Sequence, residues 1–215
     1  MKKALLTIIT IFIFGYTNAQ EAKFGIKGGL NLANVNFTGD NSSLVNPKTL
    51  YGFHIGGFVE IKVSDTFSFQ PELLYSSQGF TEDETGYIDG YYYDAEGKTK
   101  LDYLNIPLMA KFYATKQFSL EFGPQIGILL SAKQEFNVTV KNGNETFSDS
   151  SSEDIKDDLK SSDFGLNFGA GYDFTEKFSA GLRYNVGLSN IADFEDQGNS
   201  KAKNNVFSLS VGYKF

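Results

Sequence analysis

Few residues of this 215-residue chain could do chemistry. It has no cysteine and one histidine, His54. That excludes a disulfide framework, a thiolate nucleophile and a thiolate metal site, and one chain cannot supply a multi-histidine centre. A serine–histidine–carboxylate relay needs an acid within hydrogen-bond reach of the imidazole. The nearest acid on the strand face of His54 is Glu60, six residues on and so about 20 Å along an extended chain. Charged residues read as sharing the inner register of the regular stretches include Lys27, Glu72, Lys111, Glu121 and Arg183. With Glu60 they make three acids and three bases, a set that suits mutual neutralisation better than acid–base catalysis. The net charge of −7 argues against nucleic acid as a partner.

The elements that position these groups have a period of two. Eight stretches alternate apolar with small or polar residues, at about 24–32, 51–61, 67–75, 104–112, 118–130, 164–174, 178–188 and 207–215. Two is the period of a strand whose faces meet unlike surroundings. The last stretch keeps it to the end, with Phe207, Leu209, Val211, Tyr213 and Phe215 on one face. The connections alternate too. "KVSDT", "YATKQ" and "TEK" are short, whereas about 34–50, 80–100, 132–162 and 190–204 are long. Short turns on one side and long loops on the other mark bacterial transmembrane barrels.

Volume decides which face points outward. The apolar set is rich in the chain's 21 Phe and 12 Tyr, and the opposite set carries many of its 22 Gly with Ser and Asn. An eight-stranded cylinder has a lumen just wide enough for side chains. Large apolar groups therefore cover the outside, which must be lipid. A strand of about eleven residues tilted by about 40° rises about 27 Å, close to the apolar band of an outer-membrane barrel. The fold expected is all-β: an eight-stranded antiparallel up-and-down transmembrane β-barrel with short periplasmic turns and long extracellular loops.

Lys27, His54, Glu60, Glu72, Lys111, Glu121 and Arg183 then face the lumen. Counted from the short-turn end, Lys27 stands level with Glu60, and Lys111 with Glu121. The expectation is a plugging charge network in which losing Glu121 alone is costly because it strands Lys111. His54 is expected to be a hydrogen-bonded filler. The strands and short turns carry balanced charge, so the surplus acid lies in the loops.

The start, "MKKALLTIITIFIFGYTNAQ", has two lysines, a short apolar run and a small residue at Ala19. It reads as a signal peptide (1–19) cleaved before a barrel domain (20–215). Among the loops, Asp89-Gly90 is a hairpin signal surrounded by Tyr87, Tyr91, Tyr92 and Tyr93, and Asn142-Gly143, between Phe136, Val138, Val140 and Phe147, suggests strands continuing above the membrane as a second hairpin. "SSEDIKDDLK" suggests a short helix capped by Ser151 or Ser152, with Ile155 and Leu159 on one face. No calcium-loop spacing occurs, and no cofactor or metal is expected.

"FSFQPELLYSSQGF", "LDYLNIPLMAKFY", "FGPQIGILLSAK" and "KFGIKGGLNLANV" together resemble the PorT-type outer-membrane barrel family of Bacteroidota, often labelled "porin family protein". The resemblance spans about 20–215, and its blocks 70–75 and 103–108 are scaffold features. Pro71, Pro107 and Pro124 are expected to mark bulges or kinks. The resemblance implies an outer-membrane location, and its namesake's role implies help to a secretion system. The leading functional expectation is a monomeric, non-enzymatic anchor or interaction protein, its acidic tyrosine-bearing loops meeting an extracellular protein or glycan. Its other partners would be outer-membrane lipid and the barrel-assembly machinery, the latter through the strand ending at Phe215. The alternatives are a narrow channel or transporter, the secretion role and, last, a lipid-modifying enzyme built on His54.

Overall fold

The computed structural model describes residues 22–39, 46–142, 145–193 and 201–215. The leader expected at 1–19 lies outside them. Nine strands form one antiparallel sheet: β1 (Ala22–Thr38), β2 (Lys48–Lys62), β3 (Phe67–Ile88), β4 (Tyr91–Tyr113), β5 (Phe118–Asn142), β6 (Glu145–Asp154), β7 (Ser162–Asp173), β8 (Phe178–Gly187) and β9 (Lys201–Lys214). Pairing runs from β1 in order to β5, on to β7, β8 and β9, and back to β1. The sheet closes on itself in an up-and-down, barrel-like fold, with β6 attached only to β5. Closure leaves no backbone edge in hydrocarbon, where an unpaired N–H or C=O has no partner.

The two faces divide as the alternation predicts. Ile26, Leu30, Ile55, Leu73, Leu120 and Val211 point outward and are about half exposed, while Asn31, Ser68, Ser119 and Asn167 on the opposite face are buried. Aromatics gather at the short-turn end, where Tyr172 packs on Phe174 (5.1 Å) and Tyr213 on both Phe178 (5.0 Å) and Phe215 (5.5 Å). Such girdles belong to a membrane–water boundary.

The short turns share one construction. Thr115 Oγ1 accepts from the backbone N–H of Gln117 and Phe118, and Thr175 Oγ1 from those of Lys177 and Phe178. Ser64 Oγ accepts from Thr66 N. In two of these turns a threonine hydroxyl three residues before a phenylalanine ties the turn to the first lipid-facing residue of the next strand.

The regions 80–100 and 132–162, expected as long connections carrying hairpins, are largely sheet, and the strands do continue past the wall. β3 and β4 remain paired as far as Ile88 and Tyr91, around Asp89 and Gly90 with φ of 52° and 85°. Two successive positive φ values fit the type I′ turn that matches strand twist. β5 and β6 make a second hairpin alongside; the Asn142-Gly143 turn itself lies outside the described residues. The expected helix is only a 3-10 turn, Lys156–Asp158, without a side-chain cap, because Ser151 and Ser152 belong to β6.

The prolines do not set the bulges. Register shifts lie between Thr49 and His54 on β2 and at Asp102/Tyr103 on β4. Beside Pro107 and Pro124 the ladder loses partners but resumes in the same register, as expected of a residue with no N–H. The second shift has a consequence for faces. Tyr103 pairs with Leu129 and Asp102 with Ser131, which leaves Leu130 as an extra residue on β5. Even-numbered β5 positions face lipid up to Leu130, whereas beyond it Ala132 is fully buried on the inner side.

Candidate functional site: a charged lumen, an apolar lid and an outer sheet

Each wall strand contributes one charge to an inward network, and Asp163 on β7 is a further buried acid held apart from it by Ser189 and Asn204. Lys27 (β1), Glu60 (β2), Glu72 (β3), Lys111 (β4), Glu121 (β5), Asp173 (β7), Arg183 (β8) and Lys214 (β9) form one connected set of four acids and four bases. Glu72 is the hub. It takes both arms of Arg183 at 2.9 Å, Lys27 at 2.9 Å and Gln70 Nε2 at 2.7 Å. Arg183 also donates to Glu121 at 2.8 Å. Lys111 lies 3.6 Å from Glu121, 3.5 Å from Glu60 and 3.3 Å from Gln70. Below them Lys214 bridges Glu60 (2.8 Å) and Asp173 (3.0 Å), and the Tyr113 hydroxyl touches the same two carboxylates. Ionised groups this buried are tolerated only with such pairing.

The expected Lys111–Glu121 pair is present, and the two residues are cross-strand partners. The expected levelling of Lys27 with Glu60 is wrong. Register places Lys23 opposite Glu60, and Gly56 opposite Lys27. With no side chain at Gly56, Lys27 reaches past β2 to Glu72 on β3. Lys214 and Asp173 were missed, although each sits between two outward aromatics and the alternation alone points it inward.

Above the charges lies a layer of amides. Asn31 Nδ2 donates to Ser76 Oγ and to the carbonyls of Phe53 and Ser77, and its Oδ1 faces His54 Nδ1 (2.8 Å) and Ser208 Oγ (3.0 Å). The imidazole thus contacts an amide on this side, not a carboxylate. Asn185, Asn167 and Gln125 continue the layer. Two voids in these layers measure about 20 and 30 Å³, room for about one water each. At the short-turn end the lumen opens into a vestibule of about 830 Å³, with Glu60, Tyr113, Asp173 and Lys214 among its lining residues.

At the opposite mouth lies an apolar cluster. Val35, Phe80, Leu101, Tyr103, Leu129, Ala132 and Ala202 form the rim, and Ile191, Ala192, Ile155 and Leu159 pack onto it. The two lid segments are tied together by the Leu159–Ala192 bridge, by Lys160 N to Ile191 O (2.8 Å) and by Asp193 N to Asp158 O (3.0 Å). Ile155 and Leu159 do share a face, across a turn instead of along a helix.

Beyond the lid, β3, β4, β5 and β6 extend as a four-stranded sheet. Its outer face turns from apolar to charged near Lys100 and Asp102, and Lys48 pairs with Asp83. The tyrosines expected as one surface divide between two. Tyr87 packs on Tyr92 (5.4 Å) and, with Lys141, shares one face. Tyr91 and Tyr93 stand on the other, where the Tyr93 hydroxyl donates to Glu84 (3.0 Å) and holds its own proton above the usual phenol range. Asp89 occupies the exposed hairpin tip.

The chain is similar to the crystal structures of Ail from Yersinia pestis (15% identity, TM-score 0.42, covering 91% of this chain and 99% of that one) and of Neisserial surface protein A (13%, 0.44, 91% and 99%). It is also similar to OprG from Pseudomonas aeruginosa (15%, 0.37, 92% and 98%). No curated protein matches it. The family model described as outer membrane protein beta-barrel domain matches residues 18–193; the chain belongs to that family, and its place is the bacterial outer membrane.

Proposed function

We propose that the protein is a monomeric, eight-stranded transmembrane barrel that conducts no solute and anchors an extracellular interaction surface. β1–β5 and β7–β9 make the wall, and the extensions of β3–β5 with β6 make the surface. The lumen carries this reading: four acids and four bases, one from each wall strand, neutralise one another beneath an apolar lid. His54 acts as a filler that fixes Asn31, without a catalytic role. A cleaved leader at 1–19 brings the chain to the periplasm, and β9, followed by the exposed Phe215, presents the signal for barrel assembly. The finer likeness to PorT-type barrels rests on scaffold positions. Tyr103 lies in the lid rim and Gln70 in the charge network, so the likeness supports the fold and leaves a secretion role to a deletion strain that mislocalises exported cargo.

A narrow pore is the second reading, favoured by the vestibule, and it requires the charge layer to part. Planar-bilayer recordings separate the two. A silent bilayer after verified insertion is expected; discrete conductance steps would establish the pore. Replacing 133–154 with a tight turn should leave a folded barrel that no longer cross-links to its surface partner.

A further inference from the structure

The two faces of the extracellular sheet are chemically unlike. On the face continuous with the lumen side, the central strands β4 and β5 carry Tyr93, Ala95, Phe136, Val138 and Val140, and β6 adds Phe147. Phe136 is 42%, Val138 37% and Phe147 62% exposed. The flanking strands give the same face Glu82 and Glu84 on one edge and Glu145, Asp149 and Glu153 on the other. Among the described residues no lysine or arginine stands on it. Lys98, Lys100, Lys133 and Lys141 are all on the opposite face, beside Asp94, Glu96 and Glu135.

An apolar strip this exposed above a membrane marks a contact surface. Lipid does not explain it, because the outer face of the same strands is already charged at this height. A rim of acids without a compensating base sets the sign of the partner. Anionic glycans and lipid phosphates are repelled, and a second copy would bring acid against acid. We infer that this face docks a cationic polypeptide segment with an apolar side, whose hydrophobic residues cover Phe136, Val138 and Phe147 while its lysines or arginines meet the acidic edges. The inference rests on the interaction-surface reading and names that surface's partner class.

The test uses the full mature protein in nanodiscs of phosphatidylcholine, a lipid with no net charge, with empty nanodiscs as the blank. The probe is a fluorescein-labelled amphipathic Leu/Lys peptide, read by anisotropy against a Leu/Glu peptide of the same pattern. Salt-sensitive binding of the Leu/Lys peptide alone is expected. Glu84→Gln/Asp149→Asn/Glu153→Gln should weaken it at least tenfold and flatten its salt dependence, and Phe136→Ser/Phe147→Ser should weaken it similarly. The outer-face control Asp94→Asn/Glu96→Gln/Glu135→Gln should bind like wild type. Circular dichroism of each variant shows that the barrel is intact. Equal binding by wild type and the inner-face variants overturns the inference, as does dependence on the outer-face acids or a self-associated dimer in the nanodisc-free detergent complex. If excising 133–154 abolishes peptide binding while the inner-face variants do not, the surface reading survives and the face assignment fails. If neither change matters, both fall.

Discussion

Glu72→Gln should be the costliest isosteric change in the lumen, well beyond Glu121→Gln. The Glu72 side chain is fully buried and holds Lys27 and both arms of Arg183, each at 2.9 Å. Its amide would keep one acceptor oxygen and turn an NH2 group toward two cations. Four bases would then face three acids, a deficit of one against the four-to-four balance. Removing one partner of a buried pair costs about 3–5 kcal/mol. Glu121→Gln is milder, because Arg183 keeps Glu72, and Lys111 keeps Glu60 at 3.5 Å and Gln70 at 3.3 Å. It forfeits in the main one charged hydrogen bond, about 1.5–3 kcal/mol. That revises the expectation that Glu121 alone shields Lys111. Lys27→Met/Glu72→Gln restores balance at three and three, and should be more stable than Glu72→Gln alone. Urea unfolding in phosphatidylcholine vesicles, followed by far-ultraviolet circular dichroism because the chain has no tryptophan, gives the ranking. Equal costs for the two single changes, or a double variant weaker than Glu72→Gln, would refute the hub assignment.

Two glycines should separate backbone conformation from crowding. Gly90 has φ +85° with nothing within 4 Å of an added Cβ, so Gly90→Ala should cost about 1–2 kcal/mol and speed hydrogen exchange only in the β3–β4 hairpin. Gly79 has φ +131° and a Cβ there would lie 1.9 Å from the Thr99 carbonyl oxygen; Gly79→Ala should lower the refolded fraction of the whole barrel on a heat-shift gel. At the lid, Leu159→Cys/Ala192→Cys should oxidise to a single intramolecular disulfide in a chain otherwise free of thiols. Ile191→Ala should cost about 2–5 kcal/mol in the same urea titration, and a change near zero would mean that the lid does not rest on the rim.

Alternation made the wall legible, since lipid on one side and a narrow lumen on the other force residue types apart at every step. Heights across the lumen were less so. Placing Lys27 level with Glu60 needed the β1–β2 register, which the loop at about 34–50 does not reveal, and Gly56 then opened a path to Glu72 two strands away. The fate of Phe136 and Val138 was hidden for another reason. One extra residue at Leu130 moves every later even position on β5 to the other face, and no composition signal marks it. The lid escaped notice because Ile155, Leu159 and Ile191 are isolated apolar residues in polar stretches, with meaning only once folded over the rim. The Asp89-Gly90 turn was legible because its two positive φ values demand those residue types.

Whether the lumen is specified by net neutrality or by particular pairs can be settled by exchange. Lys111→Glu/Glu121→Lys conserves four acids and four bases, the volume of the pair and its cross-strand contact. If neutrality were the requirement, the swap would be tolerated. The structure predicts otherwise. Position 111 also lies 3.5 Å from Glu60, and position 121 lies 2.8 Å from Arg183. The exchange would set glutamate beside glutamate and lysine beside arginine in a largely buried layer. Like charges at these separations oppose folding more than the loss of one partner does. The swap should therefore refold less than either Lys111→Met or Glu121→Gln, judged by the heat-modifiable band after folding into vesicles. Wild-type recovery of the swapped chain would mean that the lumen counts charges and does not read their order around the wall.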